Sequence, residues 1–435
     1  MNARWLARSA FVLMLAAVVI LIAFAELGGV AVVVTAVIGA CLLVAGAYMF
    51  LAHRGVLRWT GAAVVILTPV AVLVLFAIHH VIWVALVSTA LLVLAVVAAR
   101  RALTPPAPGP GMPSREVPPP RSAFLIMNPR SGGGKVAKFG LKEKAEALGA
   151  EVALLEGPGV VDVAALARQA VAAGADLLGV AGGDGTQALV AGIAAEHDLP
   201  FLVISAGTRN HFAMDLGLDR DNPAACLDAL TDDGVEQRID LGIIGDRTFV
   251  NNASFGAYAE IVESPAYRDD KRGTTLQMLP DILNGHRGAK LTAVAGDTTI
   301  TGPQAVLVSN GPYELNDVAG LGRRTRLDAG ALGVVAVTVN SALQAATLLR
   351  GARGQGLTTL AADEVVVEAE APQIPVGIDG ETVMMPTPVR CAVRPRALRV
   401  RVPRDRPGVR PPKPPLDWPA LRQLASFRSP ALGTD

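Results

Sequence analysis

Apolar residues fill most of the first hundred positions, in four runs over roughly residues 11–25, 28–51, 61–78 and 81–99. A helix needs roughly 20 such residues to cross a bilayer, so these runs predict four transmembrane helices. Polar breaks separate them at Glu26, at Ala52-His53-Arg54-Gly55-Val56-Leu57-Arg58-Trp59 and at His79-His80. Adjacent helical residues do not share a face, so His79 and His80 read as an interfacial turn rather than a metal pair. Residues 104–120 then carry Pro105, Pro106, Pro108, Pro110, Pro113 and Pro118-Pro119-Pro120, the composition of a stiff, extended spacer with no core of its own.

From Ala123 onward, short apolar runs alternate with stretches of helical spacing. Strands are predicted at 123–127, 151–155, 177–180 and 201–204. Helices are predicted from 135 to about 148, over 162–173 with Asp162 as N-cap, over 187–195, and from about 211. This alternation predicts an α/β domain built on a doubly wound parallel sheet. From about residue 238 strands dominate, at 238–244, 247–253, 290–295, 298–308, 332–338 and 364–370. Helical stretches at about 275–285 and 341–352 interrupt them, and a last strand is expected at 389–402. The pattern predicts a second, mainly antiparallel β domain. Beyond Pro403 the chain is proline-rich and basic, with Arg404, Arg406, Arg410 and Lys413, and is expected to lack fixed structure.

Composition adds three constraints. The 435 residues allow two or three domains with ample core. A formal net charge of +1 gives no sign of a nucleic-acid partner. Cys41, Cys226 and Cys391 are far apart and odd in number, which fits buried small residues in a reducing compartment rather than a disulfide framework or a zinc site. Cations add a topology. Arg4 and Arg8 precede the first span, Arg54 and Arg58 lie between the second and third, and Arg100-Arg101 follow the fourth, while the other two breaks carry no Lys or Arg. The positive-inside rule then puts the N-terminus and everything after residue 100 in the cytoplasm, in a multi-pass cell-membrane protein. Ala23-Phe24-Ala25 imitates a signal-peptide cleavage site, but cleavage there would leave three spans with the basic loops facing the wrong way.

The candidate chemistry lies in three glycine-bearing loops that each follow a predicted strand. They are Asn128-Pro129-Arg130-Ser131-Gly132-Gly133-Gly134-Lys135, then Ala181-Gly182-Gly183-Asp184-Gly185-Thr186, then Ser205-Ala206-Gly207-Thr208-Arg209-Asn210. Loops after strands of one parallel sheet share its carboxyl edge, where such sheets bind ligands. Glycines there let backbone N–H groups approach an anion, and helix N-termini add partial positive charge. Ser131, Gly132, Gly133, Gly134 and Gly182, Gly183, Gly185, Thr186 can therefore cradle phosphates. Lys135 offers either a point charge or a solvated first-turn lysine. Asp184 can hold Mg²⁺ directly or through water. Late in the chain, Asp379-Gly380-Glu381 is by itself an ordinary turn sequence.

Together these motifs resemble the diacylglycerol kinase catalytic-domain family, which includes sphingosine, ceramide and bacterial lipid kinases. The resemblance rests on Asn128-Pro129-Arg130-Ser131-Gly132-Gly133-Gly134, on Gly182-Gly183-Asp184-Gly185-Thr186, on Gly207-Thr208-Arg209-Asn210-His211-Phe212-Ala213 with Leu216-Gly217, and on Asp379-Gly380-Glu381, and it covers roughly residues 122–402. NAD kinases and phosphofructokinases share the Gly-Gly-Asp-Gly element, so the first loop and the late Asp-Gly-Glu carry the distinction. The resemblance implies a two-domain lipid kinase fold. An ATP-binding α/β domain at 122–237, completed by 389–402, would adjoin a lipid-accepting β domain at 238–388, with spans at 1–101, a linker at 102–121 and a tail at 403–435. It implies ATP contacts from Asn128, Pro129, Ser131, Gly132, Gly133, Gly134, Gly182, Gly183, Asp184, Gly185, Thr186, Gly207, Thr208 and Asn210. It implies a catalytic base in the Asp379-Gly380-Glu381 turn, at Asp379 or Glu381, which the sequence alone does not separate, and Mg²⁺ near Asp184 and Asp328.

Two positions depart from the family pattern. His211 stands where a second acid usually follows the asparagine, and Ala329 stands where the second of two acids usually precedes a glycine, leaving Asp328. The expected activity is transfer of the γ-phosphate of ATP to a membrane lipid hydroxyl, with diacylglycerol as the default acceptor. The alternative is a catalytically weak nucleotide- or lipid-sensing protein on the same fold. A homodimer is left open.

Overall fold

The computed structural model of the chain describes residues 3–23, 28–53, 55–78, 82–103, 112–156, 161–256, 290–313, 324, 326–338, 356–408 and 416–426. The helices expected at 275–285 and 341–352, and the His79-His80 turn, lie outside the described residues. The chain divides into two compact units, residues 1–108 with 412–435, and residues 109–411.

The first unit holds α1 (Ala3–Ala23), α2 (Gly28–Ala52), α3 (Val56–Ile78) and α4 (Ile82–Leu103), each long and apolar enough to cross a membrane. Helix α1 packs on α4 and α2 on α3. The second pair approaches closely at Gly61, where a Cβ would stand 2.6 Å from Phe50 N and 2.7 Å from Gly46 O. Small residues at such crossings let helix backbones meet. Large apolar side chains such as Val12, Leu15, Ile22, Ile66, Leu73 and Leu86 remain exposed, far more than a water-facing surface normally leaves uncovered.

The second unit begins with β1 (Ser114–Glu116), β2 (Ala123–Met127), α5 (Lys135–Lys138), α6 (Leu141–Ala147), β3 (Glu151–Leu154), α7 (Val163–Ala172), β4 (Leu177–Ala181), α8 (Asp184–Glu196), β5 (Pro200–Ile204) and α9 (His211–Asp215). Asp162 caps α7 as expected, accepting from Ala165 N. The strands that follow are β6 (Gly234–Ile244), β7 (Arg247–Phe249), β8 (Asn252–Gly256), β9 (Leu291–Ala295), β10 (Thr298–Thr301), β11 (Ala305–Ser309), β12 (Leu332–Val337), β13 (Leu357–Ala362), β14 (Glu364–Ala369), β15 (Gln373–Ile378), β16 (Glu381–Pro386) and β17 (Val389–Pro403).

One sheet runs β10-β9-β14-β17-β5-β4-β2-β3, with β6 beside β17 and paired to β1 and β7. Strands β5, β4, β2 and β3 pair in parallel, the inner three buried almost throughout, as strands covered on both faces are, and the edge strand β3 half-buried after its exposed Glu151. Strand β17 joins both halves: Arg399–Arg401 pairs in parallel with Pro200–Leu202, and Val389–Ala392 pairs antiparallel with β14. The expected return of the last strand to the first sheet is therefore observed. A second, antiparallel sheet runs β13-β12-β11-β8-β15-β16. Separate apolar clusters form the cores, one under the parallel strands and one between the β strands.

Several sequence expectations need correction. The strand expected at 247–253 is two, β7 in the first sheet and β8 in the second, and the helix expected at 135–148 breaks at Gly140, φ 58°, into α5 and α6. The single strand expected at 298–308 is two: Gly302, at φ 68°, turns the chain so that β10 stays in the first sheet while β11 crosses to the second. Strands β13, β15 and β16 were not expected, because β13 is a short run of Leu, Thr and Ala and the other two contain prolines. The spacer ends inside the fold, since Ser114–Glu116 pairs with β6 and Met112 is buried in the main core. The tail is not wholly without structure. Trp418–Ala425 forms a helix, α10, capped by Asp417, whose carboxylate accepts from Ala420 N at 3.0 Å. Leu421 buries itself beside Leu6, Ala10, Ala98 and Ala102 of α1 and α4, and Arg8 Nε donates to Ala425 O. Basic residues hid this short apolar face.

Candidate active site

The three glycine loops meet at the carboxyl ends of β2, β4 and β5. Asn128 N donates to Ala181 O at 2.8 Å, linking the first loop to the second. The first and third loops touch so closely that a Cβ on Gly132, whose φ is 56°, would stand against Ala206 O. A Cβ on Gly207 would lie 2.7 Å from Gly182 O, so the third loop packs on the second as well. At Gly133 and Gly183, by contrast, a Cβ would meet nothing within 4 Å. The backbone is there bared to open space, as a phosphate cradle requires.

Two cavities flank the loops. One, of about 360 Å³, is lined by Gly132, Gly133, Lys135, Gly207, Thr208, Arg220 and Asp221. Lys135 is not a solvated first-turn residue: its Nζ donates to Ser205 O at 3.3 Å and Arg220 O at 2.9 Å, tying the loops together. Burial, and then the nearby Arg220 charge, lower its pKa. Arg220 and Asp221 were missed, although the charged run after Leu216-Gly217 was a signal. The other cavity, of about 450 Å³, runs along α8 and is lined by Gly185, Thr186, Leu189, Arg247, Thr248, Asp379 and Glu381 among others.

Asp379 and Gly380 form the two-residue connection between β15 and β16, with φ 46° and 92°. Two successive positive φ values are the geometry of the tight hairpin turn that Asp-Gly favours. The turn is both ordinary and placed at the site. Asp379 Oδ2 accepts from Val250 N at 2.8 Å, and Oδ1 accepts from Asn251 N and Asn252 N at 2.8 and 2.9 Å. Burial pushes its pKa up to about 7, although the three N–H groups favour the ionised form. Glu381 is different. Its Oε1 lies 2.8 Å from where a Cβ on Gly185 would stand, so a side chain there would push this carboxylate aside.

Asp184 opens α8. Its Oδ1 is buried and has no hydrogen-bond partner. Burial raises its pKa, while His211, the Asn251 side chain and the N–H groups of His211 and Phe212 pull it back. Burial lowers the pKa of His211, against the attraction of Asp184 and Asp215. Asn210 is buried and serves the loop itself, its Nδ2 donating to Ser205 O and Gly207 O. Asp328 lines neither cavity, and both its oxygens accept from Arg326, at 2.9 and 2.8 Å. Beside it, Gly330 N donates instead to Asp240 Oδ2 at 2.6 Å. Among the described residues no three His, Cys, Asp or Glu side chains gather as a metal cluster. An orphaned carboxylate oxygen beside a phosphate cradle nevertheless fits Mg²⁺, which commonly takes one or two carboxylates and completes its shell with phosphates and water.

Comparison with known proteins agrees with this geometry. Residues 122–244 match the model of the diacylglycerol kinase catalytic domain. The chain is 31% identical over 273 residues to the probable lipid kinase YegS-like of Pseudomonas fluorescens, covering 57% of this chain and 84% of that one. It is 37% identical over 123 residues to a diacylglycerol kinase of Mycobacterium tuberculosis, a match that spans 28% of this chain and only 40% of that relative. A Bacillus anthracis protein described as "a putative diacylglycerol kinase" shares the fold, with a TM-score of 0.51 at 18% identity over 65% of this chain and 97% of that one. The chain belongs to the diacylglycerol kinase catalytic-domain family of lipid kinases.

Proposed function

We propose that the protein is a membrane-anchored kinase that transfers the γ-phosphate of ATP to a lipid hydroxyl, with diacylglycerol as acceptor and phosphatidic acid as product. The observation that carries this reading is the Glu381 carboxylate against Gly185, in a cavity adjoining a three-loop phosphate cradle. Phosphoryl transfer asks a protein chiefly for positioning, charge neutralisation and a base. Bared amides at Gly133 and Gly183, with the Lys135-tied loops, position the phosphates. Mg²⁺ held at Asp184 Oδ1 would neutralise phosphate charge. Glu381 accepts the proton of the lipid hydroxyl as its oxygen bonds to the γ-phosphorus and the bond to the β-phosphate oxygen breaks, releasing ADP. Asp379, with both oxygens engaged by backbone N–H groups, supports the hairpin that presents Glu381. The four apolar helices would give a lipid substrate high local concentration, and the arginine pattern supports a cytoplasmic site, where ATP is found.

A second reading, a nucleotide- or lipid-sensing protein of weak turnover, is favoured by His211 rather than an acid beside Asp184. One experiment decides. Purified full chain is given γ-labelled ATP, Mg²⁺ and separate vesicles of diacylglycerol, ceramide and sphingosine, with products identified. Labelled phosphatidic acid, absent with Asp184→Ala, is expected. ATP binding without any labelled lipid would favour the sensing reading.

A further inference from the structure

Arg324 is 0% exposed, and its guanidinium is engaged on every side by protein. Nε donates to Asp215 Oδ2 at 2.7 Å, Nη1 to Val250 O at 2.7 Å and Asn310 O at 2.8 Å, and Nη2 to Asn251 Oδ1 at 2.8 Å. A guanidinium is a flat, rigid fork that only donates. Pinned on carbonyls and a carboxylate, it cannot turn, so it dictates the orientation of the one partner that can: the Asn251 amide. The Asn251 backbone is also fixed, its N–H donating to Asp379 Oδ1 at 2.8 Å and its carbonyl accepting from Asn310 N at 2.9 Å. With Oδ1 committed to Arg324, the Asn251 Nδ2 is the group left to turn toward Asp184, whose ionised form the Asn251 side chain favours. The reverse orientation would set donor against donor at Arg324 and oxygen against oxygen at Asp184.

We infer that Arg324 is a positioning residue: through Asn251 it turns a donor toward the Asp184 carboxylate and leaves Oδ1 free for a cation or its water. This rests on the reading of Asp184 as the group that organises phosphate charge. The unpartnered, buried Oδ1 is the independent sign of a ligand, because a carboxylate oxygen without donors is costly unless something else supplies them. Asp215 completes the device, as the counter-charge that lets Arg324 stay buried at the end of α9, whose N-terminal amides also face Asp184.

Two variants separate positioning from mere support. Asn251→Asp keeps the oxygen that Arg324 needs and replaces the donor to Asp184 by a second oxygen. Arg324→Lys keeps a charge beside Asp215 and loses the fork that orients Asn251. The full chain in detergent micelles is measured for ATP affinity with and without Mg²⁺, for turnover against Mg²⁺ concentration, and for thermal melting. Both variants are expected to lose roughly 10- to 100-fold in turnover and in the Mg²⁺-dependent part of ATP affinity. Mg²⁺-free ATP affinity and cooperative melting should persist. An unchanged Mg²⁺ response in folded Asn251→Asp overturns the proposal, and so does loss of folded protein in both variants, which would make the cluster purely structural. Wild-type protein that binds Mg²⁺ and ATP but labels no lipid overturns the kinase reading instead, while the binding measurements still report on Asn251.

Discussion

Two carboxylates two residues apart have been given different work by their surroundings. Asp379 accepts three backbone N–H groups, whereas Glu381 faces the cavity beside Gly185. Asp379→Asn turns at least one of those contacts into donor against donor, and should cost about 1–3 kcal/mol of stability. Glu381→Gln should leave the melting temperature nearly unchanged. A thermal melt of both variants checks the division. Burial also makes Asp379 a source of pH dependence. Its pKa is raised from 3.8 to about 7, so in that window the folded chain holds a proton the unfolded chain has lost. Its stabilising share is complete below the unfolded value and is lost as pH rises through about 7. The melting temperature should therefore fall more between pH 5 and pH 8 in wild type than in Asp379→Asn.

Among the elements, the β15–β16 hairpin and α10 show what the sequence made legible and what it hid. The motif Asp379-Gly380-Glu381 was visible as a candidate site, because its residues carry chemistry. The strands on either side were not, since β15 contains Pro375 and β16 ends at Pro386. Gly380 sits at φ 92°, so Gly380→Ala should cost about 1 kcal/mol or more and lower turnover by shifting Glu381. Melting and kinetics measured together would check both effects. The parallel strands and all three glycine loops were readable, as buried apolar runs followed by glycine. Asn251, Asp215 and Arg324 were not, because a lone polar residue shows its value only when folding gathers partners from distant segments. Helix α10 was missed for a related reason: one buried leucine in a basic, proline-rich tail makes no periodic signal. Leu421→Ala removes a side chain with no exposed surface and should destabilise the docking of α10 by about 2 kcal/mol or more. Limited proteolysis of the C-terminal segment would detect it.

At the scale of the whole molecule, the chain joins a four-helix apolar unit to a family-typical kinase unit of residues 109–411. The cores of the kinase unit draw their buried residues from within residues 112–402, so that fragment should fold without the spans and remain monodisperse in solution. Persistent aggregation of the fragment would show that the spans are needed for its fold. The central claim is that the glycine loops and Glu381 form one phosphoryl-transfer site acting on lipid. Its most direct measurement is turnover of γ-labelled ATP into diacylglycerol by the full chain and by Glu381→Gln, with ATP affinity determined in parallel. The account predicts labelled phosphatidic acid from wild type and roughly a hundredfold or greater loss of turnover in Glu381→Gln at nearly constant ATP affinity. Equal turnover in the two proteins would contradict it.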